Sequence, residues 1–159
     1  MEKITKLIIV FLAIILISVA GSFFTDTTGW YESVKPKITP PNYVFPIVWT
    51  ILYIMIALSI YFFWTGKKKA GKDNLKQRKI IFTAFGINLF SNFLWSVLFF
   101  GFHLPLVAFI DLIIIWISAI FISIKLWKID KKAGILLWPY ILWVSCAGLL
   151  NFMIAAGMH

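Results

Sequence analysis

The sequence predicts an all-α integral membrane protein, a single domain over residues 1–159 built as a bundle of five transmembrane helices. Three observations carry this expectation. Of 159 residues, 62% are hydrophobic and the mean hydropathy is +0.95, more than a water-soluble domain of this size can keep from solvent. The apolar residues gather into five runs, each close to the ~20 needed to cross a hydrocarbon core about 30 Å thick. The short alternating segments of a membrane barrel are not visible. Of the six carboxylates only Asp111 falls inside a run, and the lysines and the arginine lie in loops or at run ends.

The first run extends from Ile4 to Phe24 (span about 4–24) in MEKITKLIIVFLAIILISVAGSFF. It is longer than the apolar core of a secretory signal and ends on bulky Phe23 and Phe24 rather than a small-x-small cleavage site, which predicts a retained helix. Further spans are expected at about 42–64, 80–101, 104–125 and 135–157. The connections differ in kind. Residues 25–41 are rich in proline, 66–79 (GKKKAGKDNLKQRK) and 127–134 (WKIDKKAG) are basic, and His103–Pro105 is a tight turn in which His103 is expected to be solvated.

Charge sets the expected orientation. With five spans, the N-terminus and the two basic connections share one side, which carries thirteen Lys and Arg; the other carries only Lys35 and Lys37. That asymmetry predicts a cytoplasmic N-terminus and an external C-terminus in a cell membrane. Topology thus accounts for the net charge of +9, and no nucleic-acid partner is implied. The lipid bilayer is the expected environment, with contacts from lysines to anionic headgroups.

Polar groups in lipid are costly unless paired, so those within the spans are informative. Asn88, Ser91, Asn92 and Trp95 in the third span share one helix face by spacing. Phe45, Trp49 and Tyr53 line up on the second span, Pro139, Trp143, Ala147 and Asn151 on the fifth, and Ser18, Gly21, Ser22 and Thr25 on the first. Small and amide residues are also the usual packing contacts of membrane helices, an explanation equally open for Asn151 and the first-span stripe. Trp49, Trp95 and Trp143 point further: inward indoles need partners for their N–H groups and leave irregular gaps. A pocket walled by aromatics with a few amides suits a flat, large, apolar small molecule with a polar edge. Asp111, about 10 Å from the outer end of its helix, is read as a group paired with Asn or Trp donors, with proton transfer as the alternative. Lone Cys146, in an apolar run, reads as a small buried hydrophobe.

No acid–base pair, Ser-His-Asp set, Gly-rich phosphate loop or metal-ligand cluster is readable. No metal and no required cofactor are therefore expected.

Three stretches resemble one family. WYESVKPKITPPNYVFPIVWTILY (30–53) is similar to the loop and second helix of the TspO/MBR family, the tryptophan-rich sensory and translocator proteins also called peripheral-type benzodiazepine receptors. Val34 takes a leucine position there, and the spacing to Lys35-Pro36 is one residue shorter. INLFSNFLWSVLFF (87–100) resembles the family's third-span pattern, and LLWPYILWVSCAGLLN (136–151) its fifth. The resemblance runs from about Trp30 to Asn151.

It implies a five-helix bundle, usually a homodimer, with a pocket beneath the first loop that takes porphyrins and other tetrapyrroles, benzodiazepine- and isoquinoline-type compounds and, in some members, cholesterol. The matching positions are Tyr31, Trp49, Asn88, Ser91, Asn92, Trp143 and Ala147, with Trp95, Asp111, Leu150 and Asn151 nearby. Phe45, Tyr53 and Cys146 join the expected ligand-binding set, Cys146 standing where the family often has Phe. The sterol-associated pattern is missing from LLNFMIAAGMH (149–159) and recurs only at Leu58, Tyr61 and Lys67. Pro36, Pro40 and Pro41 cannot sustain a helix and predict a low-entropy cap over the pocket. Three functions remain open: a tetrapyrrole-binding sensor or carrier, a light- and oxygen-dependent porphyrin-degrading activity using Trp49 and Trp143 as oxidisable indoles, and a membrane scaffold with an incidental pocket.

Overall fold

A computed structural model describes residues 2–66 and 72–158. The elements are α1 (Lys3–Ser22), α2 (Trp30–Val34), α3 (Val44–Thr65), α4 (Lys72–Ser96) continuing into a π-helical turn (Val97–Gly101), α5 (Pro105–Trp127), α6 (Lys131–Ile135) and α7 (Trp138–Ala155). Among the described residues there is no strand, and five helices are long and apolar enough to cross a membrane.

α5 packs against α4, α6 and α7, while α1 packs against α3 and α4. The core is apolar around Ile56, Ala57, Phe63, Ile81, Ala119, Ile122 and Leu126. The outside is apolar too: Leu16, Phe23, Phe90, Ile117 and Leu142 are all more than half exposed. Such a surface is stable against acyl chains and would not be in water. With lipid as apolar as leucine, close packing and buried polar contacts must hold the helices together. Gly148 lets α7 approach α5, since a Cβ there would stand 3.0 Å from Leu112 Cδ2. Ser59 of α3 donates to the Ala133 carbonyl at 2.8 Å, and Ser123 of α5 donates to the Gly134 carbonyl at 3.2 Å. Those two hydroxyls clamp α6 between α3 and α5. Asp130 caps α6, accepting from the backbone N–H groups of Lys132 and Ala133, a contact that stabilises a helix start by roughly 1 kcal/mol.

Several boundaries differ from the expectation. The 66–79 connection is helical from Lys72; the part of it at 67–71, with Lys67 of the sterol-like pattern, lies outside the described residues. The last span, expected at 135–157, is α7, and the short α6 falls in the basic connection before it; the step at Leu136 and Leu137 puts Pro139 in the first turn of α7, where its missing N–H costs nothing. The proline-rich connection 25–41 contains α2 rather than being all loop. Pro46 falls in the first turn of α3 without breaking it.

Candidate functional site

A cavity of about 380 Å³ opens where the C-terminal ends of α1, α4 and α7 meet the start of α3. α3 supplies Phe45, Trp49 and Tyr53, the Trp49 and Tyr53 rings lying 5.6 Å apart. α4 supplies Asn92, Trp95 and Ser96, and its π-helical turn adds Phe99 and Phe100. In that turn Phe102 N–H bonds back to the Val97 carbonyl, five residues earlier. The extra residue per turn re-aims the side chains, so the consecutive Phe99 and Phe100 both face the cavity. α7 contributes Ala147, Leu150, Asn151 and Ile154, and α1 contributes Ser18, Gly21, Ser22 and Thr25.

The roof is the 25–43 segment. Tyr31 of α2 is buried against Phe45, Phe99 and Phe100, and burial pushes its phenol up to about 12. Asn42 ties the segment together, donating to Glu32 Oε1 at 2.8 Å and to the Thr27 carbonyl at 3.2 Å. Lys35 closes on Glu32 at 2.7 Å. Hydrogen bonds from Lys35 and Asn42 hold the Glu32 carboxyl below its ordinary value, and those from the Thr28 hydroxyl and N–H lower Asp26. Trp30 stacks on His103 with ring centroids 4.5 Å apart. His103 is exposed in the turn before α5, as expected, in a left-handed conformation (φ 53°), and its stack on Trp30 also ties the roof to that turn.

Beneath the cavity lies a closed polar network. Asn92 donates to Tyr140 Oη at 2.6 Å and to the Asn88 carbonyl at 2.7 Å, and Tyr140 donates to Asn88 Oδ1 at 3.0 Å. Asn88 Nδ2 turns away to α5, donating to the Ile115 carbonyl and to Ser118 Oγ. These partners satisfy amides that would be costly alone in the bundle.

Of the residues proposed from sequence, Tyr31, Phe45, Trp49, Tyr53, Asn92, Trp95, Ala147 and Leu150 are brought together around the cavity. Asn88 and Ser91 are buried on the same α4 face but turn toward α5, Ser91 beside the carboxyl of buried Asp111. Asp111 has no Trp or Asn donor among the described residues, and its Oδ2 is unpartnered. Trp143 lies one turn below Ala147, behind Phe45 at 5.9 Å, with its buried Nε1 also unpartnered. Cys146 is exposed on the outer face of α7, not buried, because helical pitch places it away from the Ala147–Asn151 stripe. Ser96, Phe99, Phe100, Ile154, Thr27 and Asn42 line the cavity without having been singled out. The Phe-Phe-Gly sequence before His103 is the one local signal, and it does not announce a π-helical turn.

The TspO/MBR family model matches residues 8–156. A tryptophan-rich protein TspO of Archaeoglobus fulgidus is 38% identical over 155 residues, covering 96% of each chain. One of Chlorobaculum tepidum is 38% identical over 139 residues, 85% of this chain and 84% of the relative. The translocator protein of Bos taurus is 29% identical over 135 residues, 83% of this chain and 78% of the relative. With a match along nearly its whole length and five membrane-length helices, four of which line one aromatic cavity, this chain belongs to the TspO/MBR family.

Proposed function

We propose that the cavity binds tetrapyrroles or related flat, apolar ligands with a polar edge, and that the protein senses or carries them in the membrane. One observation carries this reading: the rings of Tyr31, Phe45, Trp49, Tyr53, Trp95, Phe99 and Phe100 surround one space, with Asn42 and Asn151 at its wall. Aromatic faces recognise a planar π-system, and a few amides fix its edge. A volume of about 380 Å³ lies toward the small end of small-molecule sites, so a macrocycle would enter edge-first and leave one side at the opening. The names of the relatives, tryptophan-rich sensory protein and translocator protein among them, favour a sensor or carrier over a scaffold.

The cavity end carries Lys35 and Lys37 and the opposite end the lysine-rich segments, which supports a cavity opening toward the outer face and a cytoplasmic N-terminus. Titrating purified protein with protoporphyrin in the dark, read by tryptophan quenching, tests the reading. Saturable quenching with one ligand per chain supports it, and quenching linear in porphyrin overturns it.

Light-dependent porphyrin degradation is a second reading. It is favoured by Trp49, whose indole stands in the cavity wall 5.6 Å from Tyr53. Trp143 lies behind Phe45, so Trp49 is the better-placed donor to an excited ligand, with oxygen as the co-reactant.

A further inference from the structure

At the opposite end of the bundle a second concavity, of about 350 Å³, opens between α1, α3 and α4. Its walls are apolar: Val10 and Ile14 of α1, Ile60 and Trp64 of α3, Phe82 and Leu89 of α4. From Phe82 to Leu89 the groove follows α4 for about 10 Å. That is most of the roughly 15 Å occupied by the acyl chains of one leaflet.

Two cations stand at the Trp64 end. Lys6 Nζ of α1 lies 5.6 Å from the centroid of the Trp64 ring. Arg78 of α4 donates from Nη2 to the Trp64 carbonyl at 3.2 Å, its Cζ 4.8 Å from the Phe63 ring and 6.0 Å from the Phe82 ring. Trp64 thereby holds one cation over its ring and another on its carbonyl. The one ion pair among the described residues, Lys35–Glu32, is at the far end of the molecule. A guanidinium carries five N–H donors in a fork suited to phosphate, more than one carbonyl can use.

We propose that this groove is a binding site for an anionic phospholipid of the leaflet at the lysine-rich end. One acyl chain lies along Val10, Ile14, Ile60 and Leu89, and the phosphate sits between Lys6 and Arg78. Charge selects this occupant. A zwitterionic lipid brings its own cation to the same place. A second copy of the chain docked symmetrically brings its own Lys6 and Arg78 against these, a like-charge contact.

The test is native mass spectrometry of the full chain in detergent, titrated with dioleoylphosphatidylglycerol or dioleoylphosphatidylcholine. The parent should hold one phosphatidylglycerol roughly thirtyfold more tightly than phosphatidylcholine, in keeping with two cations near an anionic headgroup. The Lys6→Gln/Arg78→Gln variant should bind both lipids equally, and Lys6→Gln alone should lose part of the preference. Ala13→Phe, at an exposed position in the groove wall, should weaken both lipids. Thermal unfolding of each variant reports whether the fold is intact. Equal binding of the two lipids by the parent overturns the proposal. So does a preference that survives the double substitution, which would belong to the basic connections. If Ala13→Phe changes self-association and leaves phosphatidylglycerol binding unaltered, a second copy covers the groove and the proposal fails.

Discussion

Trp95 donates its indole N–H to Asn151 Oδ1 at 3.0 Å, and Asn151 Nδ2 donates to the Pro105 carbonyl at 2.7 Å. One amide therefore joins α4, α7 and the first residue of α5 beside the cavity. The Pro105 carbonyl gains a side-chain donor where the chain turns into α5, and Trp95 keeps a single orientation against Phe99, with which it stacks at 4.9 Å. Asn151→Leu keeps the branching at Cγ, with bulkier ends, and leaves the indole N–H and the carbonyl without their partner. The expected cost is about 1–3 kcal/mol of stability, read as a lower midpoint of thermal unfolding in detergent. An unchanged midpoint would show that solvent or lipid headgroups replace the amide.

The cavity wall should rank the tryptophans. Stacking a flat ligand on an aromatic ring contributes ~1–3 kcal/mol by analogy with base stacking, roughly five- to over a hundredfold in affinity. Trp49→Ala is expected to weaken protoporphyrin binding within that range. Trp143→Ala reaches the cavity through Phe45 and should weaken it less, while Trp127→Ala, at the far end of α5, should leave it unchanged. Quenching titrations of the three variants give the order. Equal losses in all three would point to a general fold defect.

Binding and photochemistry separate at position 49. Trp49→Phe retains a ring but removes the easily oxidised indole, so it should keep most of the affinity while losing most loss of porphyrin absorbance under light and oxygen. Trp143→Phe should retain both. Degradation at the parental rate in Trp49→Phe would mean that the indole is only wall and that the porphyrin sensitises its own oxidation.

The roof should loosen in acid. Glu32 has a folded pKa below its ordinary value because Lys35 and Asn42 hold the charged form. Its contribution is therefore present above the usual glutamate value of about 4.3 and is lost as pH falls through the lower folded value. Asp26 shifts in the same direction. A fluorophore on Lys37→Cys, in a Cys146→Ser background, should show anisotropy that is constant near neutrality and falls below about pH 4. Adding Glu32→Gln should lower the anisotropy already at pH 6 and shrink the acid step. An undiminished step would assign it elsewhere.

Orientation can be read with the same chemistry. In intact cells an impermeant thiol reagent should label Lys37→Cys and spare Lys76→Cys, both positions being exposed. The opposite pattern would reverse the expected topology, which rests on the thirteen cations set against two.

The class, the number of spans and most of one cavity wall are legible in the order of the amino acids. Hydropathy is a sum over ~20 residues, so small boundary errors do not change the count. Helical periodicity alone is enough to align Phe45, Trp49 and Tyr53, which do face one space. The packing of the helices settles the rest, at the level of single turns. The face of α4 that looks uniform from spacing is divided by the crossing of α5, which draws Asn88 toward Ile115 and Ser118 and leaves Asn92 and Trp95 for the cavity. The π-helical turn brings Phe99 and Phe100 inward together, although adjacent residues on a regular helix point about 100° apart. On α7, exposed Cys146 and cavity-lining Ala147 are adjacent in the chain. Composition cannot register such differences: Phe, Cys and Ala are at home in lipid or in the bundle, and the two asparagines need only some buried partner, which α5 offers to one and Tyr140 to the other. Which neighbour each meets is set by how the helices cross, and that depends on contacts such as Gly148 against Leu112 and Asn151 against Pro105, made between residues far apart in the chain.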